Sequence, residues 1–517
     1  MAITVGLDFG THQTKICIED TADKQNPNYS FWKFEDVDGK MQLVCPSVVQ
    51  LNEDNTLSYG YVSDENCKKG FHIEYTKPTM PILEEPVLEL PTPPVPYIVP
   101  EIDEKGLSEL EVRSIRERKR EIKLANHTIA DNHKAICGIL EKRYKEKLNK
   151  YLESKSAYET EYARWEHKTT TQSPIRYFYF KQAVFSELEW RYKDTSPTLL
   201  SIWYLANIIF DLEEKYGKNF ALQMGVPTGA KDFQKKKQIA TSIVLSAYRL
   251  VEDMFNNDKQ AFLASTIDEL IVLTDIVPYS DEAKHEYGIL VFPEAYAGLR
   301  MMTARGKIVR GMNLNVDIGG GTTDISFFVI NNGSPNIYRY ESMPQGLNWI
   351  VQDAFGDSAI LKKRTYLDFN TKSEQDKKAL ILSIGRFFNS ITSIHSKITK
   401  MLWNEWVEKM GTANKHRLTS ALQNRPIIYM GGGSTYSQLR KAVGAFSDVH
   451  IVDDEFWSGI QIESVGDMCP VLNTALGLSV GETDDNIEIH SISDLWSENA
   501  NMYERSYESV DYNLMDV

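Results

Sequence analysis

Two segments that lie far apart in the chain share a pattern of alternating apolar residues around a glycine-containing turn. In the first segment the alternating positions are Ile3, Val5 and Leu7, followed after the turn by Ile16 and Ile18. In the second segment they are Leu314, Val316 and Ile318, followed by Ile325, Phe327 and Val329. Alternation with a period of two is typical of half-buried strands, so each segment is predicted to form a hairpin.

A different pattern fills the region between them. Residues 78–100 contain eight of the nineteen prolines and are predicted to run as polyproline II or irregular loop. Residues 104–168 have no proline, are dense in Lys, Arg and Glu, and repeat an apolar residue every seven positions at Ile115, Ile122, Ile129 and Ile136. This spacing predicts one long helix or a helical hairpin with a narrow apolar stripe. A packing strut and a partner-binding coiled coil both remain open, although polar residues at companion heptad positions weaken the second.

The rest of the chain alternates predicted strands and helices with glycine-rich turns over 196–480, which indicates α/β layers. The segment 482–517 carries ten acidic residues and one arginine. We expect this segment to be a partly disordered, solubilising acidic tail.

Composition limits the class of protein. The chain has 517 residues and a formal net charge of −15, so more than one domain is expected and a nucleic-acid partner is not. The five cysteines are scattered without zinc-site spacing, which favours the reducing cytoplasm. No run of about 18 apolar residues is present, so no membrane partner is expected.

The two predicted turns carry the chemistry of a polyphosphate site. Glycines let backbone amides approach a phosphate closely, and threonine hydroxyls can donate to it. Asp8 and Asp317 would repel phosphate directly, but they can hold the waters of a bound Mg²⁺. The candidate phosphate-contacting residues are Gly10, Thr11, His12, Gln13, Gly319, Gly320, Gly321, Thr322 and Thr323.

A third glycine turn follows the apolar run Ile427–Met430. An apolar strand that leads into glycines and then a helix can place a phosphate or an adenosine at the helix N-terminus. The candidate residues here are Gly432, Gly433, Ser434 and Tyr436. The turn is not a Walker motif, because no Gly-Lys-Ser/Thr follows it.

Together these motifs resemble the nucleotide-binding domain of the seventy-kilodalton heat-shock (DnaK-type) chaperones, within the actin-like ATPase superfamily. The segments that carry the resemblance are 5–11, 317–324 and 432–435, with weaker similarity at 46–49, 225–227, 293–299 and 469–478. The resemblance implies a two-lobed α/β fold of the actin-like, ribonuclease H-like type, with ATP or ADP and Mg²⁺ in the cleft. It places lobe I at 1–77 and 176–312, lobe II at 313–480, a helical insertion at 78–175 and an acidic tail at 481–517.

The resemblance also implies roles for single residues. Asp8 and Asp317 would orient magnesium-bound water, and Thr11 and Thr322 would contact phosphates. Lys15 lies seven residues after Asp8, as the phosphate-binding lysine does in actin. A solvent-facing strand lysine is the alternative for Lys15. Glu294 would be the catalytic carboxylate, although a carboxylate that only interacts with a helix N-terminus is an alternative.

The expected function is therefore a Mg²⁺-dependent, slowly hydrolysing ATPase switch that acts on a protein partner through the insertion or the acidic tail. A separate peptide-binding domain is not expected. His12 and Phe292 depart from the chaperone pattern and favour a nucleotide-binding module without turnover. Lys15 favours a polymerising actin-like ATPase, and both alternatives remain open.

Overall fold

A computed structural model describes residues 2–23, 26–71, 85–103, 105–170, 172–185, 195–227, 233–308, 311–331, 334–343, 345–355, 373–410, 427–435, 449–487 and 490. The chain divides into two compact units. One unit comprises 1–74 and 172–517, and the other comprises 75–171.

The first sheet of the larger unit is built around the amino-terminal hairpin. Its strands follow the order β13-β12-β1-β2-β3-β19, and β6 also pairs with β2. β1 runs parallel to β12 and antiparallel to β2, and β12 runs parallel to β13. The strands of this sheet are β1 (Ile3–Phe9), β2 (Gln13–Asp20), β3 (Asn28–Phe31), β6 (Cys45–Pro46), β12 (Phe220–Val226), β13 (Ile289–Pro293) and β19 (Gln461–Ile462).

Short strands complete this half of the unit. β7 pairs with β8 and β11, β9 pairs with β10, and β4 pairs with β5. Their bounds are β4 (Phe34–Glu35), β5 (Met41–Gln42), β7 (Val49–Leu51), β8 (Leu57–Tyr59), β9 (Lys69–Phe71), β10 (Gln172–Pro174) and β11 (Arg176–Tyr177).

Among the described residues, seven helices accompany the first sheet, and four of them, α3, α5, α6 and α7, begin with a side-chain N-cap. In α3, Ser196 Oγ accepts a hydrogen bond from Leu199 N at 3.2 Å, and Pro197 opens the first turn. Trp203 lies fully buried on this helix and donates its indole N–H to Thr274 Oγ1 at 2.8 Å. The helices are α2 (Phe180–Phe185), α3 (Pro197–Tyr216), α4 (Phe233–Arg249), α5 (Lys259–Ala264), α6 (Ile267–Leu273), α7 (Asp281–Glu286) and α8 (Glu294–Ala304).

The second sheet repeats the plan of the first. Its strands follow the order β16-β15-β14-β17-β18. β14 is antiparallel to β15 and parallel to β17, β15 is antiparallel to β16, and β17 is parallel to β18. The strands are β14 (Gly311–Ile318), β15 (Thr323–Asn331), β16 (Ser334–Met343), β17 (Ile427–Met430) and β18 (Val449–Ile451). Three further helices come after α8 in the chain: α9 (Leu347–Phe355), α10 (Glu374–Met410) and α11 (Cys469–Ser479).

The five strands β3-β2-β1-β12-β13 of the first sheet match the second sheet in order and in direction at every pairing. The larger unit is therefore a duplicated α/β structure with two related lobes. This confirms the two-lobed, actin-like fold expected from the sequence, and both predicted hairpins are present. The lobe boundaries drawn from the sequence stay a prediction.

The start of the acidic segment differs from the expectation. Asp485 is only 2% exposed, and its carboxylate lies 2.7 Å from Lys237 Nζ and 2.5 Å from Lys284 Nζ. Val291 N in β13 also donates to this carboxylate, at 2.9 Å. The expectation of a solvated tail is wrong for Asp485, because two buried lysines need a counter-charge, whereas 481–484 and 486 are exposed as expected. Residues 491–517 lie outside the described residues.

The smaller unit contains one continuous helix, α1 (Glu109–Thr170), of 62 residues. At about 1.5 Å per residue it is roughly 93 Å long, and the alternative of a helical hairpin is wrong. The proline-rich residues 85–103 have no regular structure and bond to the helix through side chains. Asn126 Oδ1 accepts from Tyr97 N at 2.7 Å, and His133 Nε2 lies 3.1 Å from Pro91 O. No helix among the described residues combines the length and apolar character needed to cross a bilayer.

Candidate functional site

The turn between β1 and β2 places an aspartate and a lysine side by side. Asp8 and Lys15 are directly opposite in the antiparallel register, so their side chains emerge on the same face. Lys15 Nζ donates to Asp8 Oδ2 at 2.9 Å, and both side chains are largely buried. The turn itself is fixed from outside, since Ser47 Oγ donates to Gly10 O at 2.7 Å.

The turn between β14 and β15 has the equivalent position in the second lobe. Gly319 N donates to Thr322 O at 2.9 Å and closes the turn. The first amides of α9 then hold the glycines, because Leu347 N donates to Gly319 O at 3.0 Å. Asp317 is directly opposite Asp324 across this hairpin.

Both turns line one cavity of about 380 Å³. They also touch each other: a Cβ atom placed on Gly321 would lie 2.9 Å from Thr11 Cγ2. A larger residue here would push against Thr11, so glycine favours the close approach of the two lobes. The predicted site residues that line the cavity are Asp8, Gly10, Thr11, His12, Gln13, Lys15, Glu294, Asp317, Gly319, Gly320, Gly321, Thr322 and Gly432.

The third glycine turn lies against the second aspartate. Gly431 has φ +80°, and a Cβ there would lie 2.1 Å from Asp317 Oδ1. Among the described residues, the predicted binding residues Gly433, Ser434 and Thr323 are not part of the cavity lining. Ser434 Oγ instead donates to Gly431 O at 2.8 Å, and Thr323 points into the core from β15. Tyr436 lies outside the described residues.

The structure adds a cation that the sequence analysis missed. Lys181, on α2, is 3% exposed, lines the cavity and forms an ion pair with Glu294 at the start of α8. These two residues are 113 positions apart. In the sequence, the signal for Lys181 is weak and local: a single lysine stands between the aromatic residues 177–180 and the apolar end of α2.

Carboxylates outnumber the lysines that pair with them in this part of the cavity. Burial, followed by repulsion from Asp324, raises the pKa of Asp317 to about 8. Burial is also the main cause of the raised pKa values of Asp324 and Glu294. Burial alone would lower the pKa of Lys15, but attraction to Asp8 outweighs it and the pKa is raised. Asp317 faces the cavity and keeps part of its surface accessible.

This charge distribution fits a bound cation. Asp8, Glu294, Asp317 and Asp324 line the cavity together with Lys15, Lys181, Lys235 and Lys236, and of these lysines Lys15 pairs with Asp8 and Lys181 with Glu294. Among the residues that the structure describes, no three His, Cys, Asp or Glu side chains are close enough to bind a metal directly. A hydrated divalent ion held through its waters suits such a carboxylate set.

Comparisons with known proteins identify no family for the chain. No protein-family model matches it, and no curated protein matches it. Among solved structures, a non-polymerising mutant of MamK bound to AMPPNP matches 93% of this chain and 99% of its own, with 12% identity and a TM-score of 0.35. The fold described above is defined by the strand order of its two sheets, independently of this similarity.

Proposed function

We propose that the protein binds ATP and ADP together with Mg²⁺ in the cavity between the two lobes. The single observation that supports this is the convergence of the Asp8 turn and the Asp317 turn on one cavity. A volume of about 380 Å³ lies within the usual range of roughly 300–1,000 Å³ for small-molecule sites.

In this proposal the backbone of the two glycine turns and the hydroxyls of Thr11 and Thr322 bind the phosphates. Lys15 and Lys181 lie in the same cavity and offset part of the phosphate charge. Gly432 leaves room for the adenosine beside the third turn. Purine preference follows the chaperone resemblance and is part of the proposal.

Asp8 and Asp317 would hold Mg²⁺ through water, and the ion would neutralise phosphate charge when bound. The four carboxylates that line the cavity are the reason for assigning it here. Glu294 would accept a proton from the attacking water. Lys181 keeps the Glu294 side chain in place through their ion pair.

We further propose that hydrolysis is slow and that the bound nucleotide acts as a switch, as in the heat-shock chaperones. The output would reach a protein partner through the 78–175 insertion or the acidic segment after 480. Positioning and charge neutralisation supply most of the rate in phosphoryl transfer, so a modest set of residues is sufficient.

The test is isothermal titration calorimetry with ATP, with and without Mg²⁺, followed by a phosphate-release assay. Asp8→Asn and Thr322→Ala should each weaken binding by roughly tenfold, the loss expected for a strong hydrogen bond or charge contact. Asp268→Asn, an exposed aspartate on α6, is the matched control and should bind as the parent does. Absence of ATP binding in the parent protein would refute the proposal.

A polymerising actin-like ATPase is the second candidate, favoured by Lys15 at the seventh position after Asp8. Sedimentation at high protein concentration with ATP and Mg²⁺ separates the two, because only the polymer pellets. A third outcome, tight ATP binding without phosphate release, would identify a non-hydrolysing module.

A further inference from the structure

A buried carboxylate near the end of α3 lacks a hydrogen-bond partner. Glu213 is 6% exposed, and neither its Oε1 nor its Oε2 has a partner within the described part of the chain. The backbone of Glu213 is fixed, because Gly217 N donates to Glu213 O at 2.8 Å where the helix ends. An ionised carboxylate is costly to bury unless a positive charge or hydrogen-bond donors compensate it. This side chain therefore requires a compensating group.

A second carboxylate lies beside the first. Glu252 belongs to a π-helical turn, Leu250–Met254, that directly follows α4. Tyr287 Oη donates to Glu252 Oε2 at 3.2 Å, and Lys218 Nζ lies 3.0 Å from Glu252 Oε1. Burial, followed by repulsion from Glu252, raises the pKa of Glu213 to about 7. The two carboxylates are therefore close enough to repel each other.

The charges around this pair do not balance. Attraction to Lys218 and the Asn257 side chain lower the pKa of Glu213, but they do not outweigh burial and the repulsion from Glu252. The side chain of Lys218 is 55% exposed, and its ion pair is with Glu252. Two carboxylates thus share one lysine that lies mostly in solvent, so an added cation would stabilise the pair.

The neighbouring groups are an amide side chain and two aromatic rings. Asn257 N donates to Val251 O at 2.9 Å, which holds this asparagine against the π-helical turn. Tyr248 and Tyr287 pack with ring centroids 4.9 Å apart. Burial, followed by Glu213 and Glu252, raises the pKa of Tyr248, so this ring lies at both carboxylates. Carboxylate, amide and hydroxyl oxygens are the ligands that Ca²⁺ prefers, whereas zinc favours histidine and cysteine.

We propose that Glu213 and Glu252 bind a divalent cation of the Ca²⁺ type, with the side-chain oxygen of Asn257 and water completing the coordination. Ca²⁺ accepts about six to eight oxygens in a flexible geometry, so two carboxylates and neutral ligands are sufficient, whereas Mg²⁺ demands a near-ideal octahedron. The ion would tie the end of α3 to the turn that follows α4. The site is independent of the proposed nucleotide binding, because none of these three residues lines the cavity.

A proton competes with the cation for Glu213. Because its pKa is about 7, this carboxylate is mostly protonated at pH 6 and mostly ionised at pH 8. The charged and titratable groups around it are Glu252, Lys218, Tyr248 and Tyr287, and burial raises the pKa values of both tyrosines, which stay neutral in this range. Carboxylates bind metals in their deprotonated form, so cation affinity should increase as the pH rises through about 7.

The first experiment measures Ca²⁺ binding by isothermal titration calorimetry at pH 8 in the parent, Glu213→Gln and Glu214→Gln. Glu214 is the next residue of α3 and is exposed, so its variant is the matched control. We expect a dissociation constant on the order of 10⁻⁴–10⁻³ M in the parent and the control, and binding at least about tenfold weaker in Glu213→Gln. Any Ca²⁺ in the cavity is common to all three proteins. A titration curve that is the same in the parent and Glu213→Gln would overturn the inference.

The second experiment repeats the titration of the parent at pH 6. We expect binding about tenfold weaker than at pH 8, because one proton must leave a group with a pKa of about 7. Glu214→Gln should show the same dependence on pH, and the residual binding of Glu213→Gln should not. Equal affinities of the parent at the two pH values would contradict the assignment of Glu213 as a ligand.

Chemical denaturation with and without Ca²⁺ at pH 8 separates a cation site from a pair of carboxyl groups that shares a proton. Without Ca²⁺, Glu213→Gln should be at least as stable as the parent, since it removes a buried charge. Added Ca²⁺ should stabilise the parent and Glu214→Gln more than Glu213→Gln. Stability that changes near pH 7 without any effect of Ca²⁺ would show that only a proton occupies the pair, which would refute the proposal.

Glu252→Gln is the second variant if Glu213→Gln does not fold. It removes the other carboxylate and an ion pair with a mostly exposed lysine, so the fold should tolerate it. We expect the same loss of Ca²⁺ binding, at least about tenfold. Unchanged binding in this variant would equally overturn the inference.

Discussion

The two hairpins that meet at the cavity have the same geometry and opposite electrostatics. In each lobe an aspartate near the end of the first strand faces the residue seven positions later, directly across the hairpin. In the first lobe that residue is Lys15, which lies 2.9 Å from Asp8. In the second lobe it is Asp324, which faces Asp317.

The difference gives the two turns different roles. Asp8 has its counter-charge within its own hairpin, so the first turn is charge-balanced by the protein alone. Repulsion from Asp324 adds to burial in raising the pKa of Asp317 to about 8, so ionisation of Asp317 costs stability unless an added cation offsets its charge. The second lobe is therefore where a bound cation should change the protein most.

The largest effect is expected at the turn that packs on Asp317. Gly431→Ala adds a Cβ at 2.1 Å from Asp317 Oδ1 and at a φ of +80°. We expect a loss of about 3–5 kcal/mol in the free energy of unfolding, from backbone strain together with the clash. Chemical denaturation of the variant would measure it.

Gly459→Ala is the matched control for this change. Gly459 has φ +88°, but no atom lies within 4 Å of its added Cβ. It should lose only the strain, about 1–2 kcal/mol. Equal losses at the two positions would mean that the space beside Asp317 is not tightly filled.

A smaller loss is expected when the counter-charge of the first hairpin is removed. Lys15→Met leaves Asp8 largely buried without its partner, so unfolding should become easier by about 2–3 kcal/mol at pH 7. Lys33→Met breaks an exposed ion pair with Glu463 and should cost less than about 1 kcal/mol. A Lys15→Met variant as stable as the Lys33→Met control would show that Asp8 is not held by Lys15.

The smallest effect, of opposite sign, is expected in the second hairpin. Asp317 has a pKa of about 8 in the folded protein against 3.8 as its ordinary value, so the folded state holds a proton that the unfolded state has released. Stability from this group is therefore lost as the pH rises through about 8. Asp324→Asn removes the facing charge. Compared with the parent, the variant should gain free energy of unfolding, and this gain should be larger at pH 9 than at pH 6 by on the order of 1 kcal/mol.

Chemical denaturation at pH 6 and pH 9 measures the stability of the variant, with the parent protein as the reference at each pH. Mg²⁺ should stabilise the parent more at pH 9 than at pH 6, because the ionised carboxylates attract it. A variant that is less stable than the parent at pH 9 would contradict the assigned repulsion.

Much of this site could be predicted from the sequence because its signals are local. The alternation around Gly10 and Gly319–Gly321 predicts two hairpins, and the structure contains both. The third turn was predicted only in part. Ser434 bonds back to Gly431 O and Gly433 packs on Ile318, so neither residue lines the cavity. In the second hairpin, strand alternation likewise buries Thr323 away from the cavity.

The sequence by itself determined the two hairpins, their aspartates and the order of strands and helices, since these depend on neighbours within a few residues. Tertiary structure alone decided that Lys181 meets Glu294, that Asn348 reaches His12 across the lobes, and that Asp485 is buried between two lysines. The members of these pairs lie 113, 336 and 248 positions apart. Such contacts arise from how the sheets pack, and no periodicity along the chain records that packing.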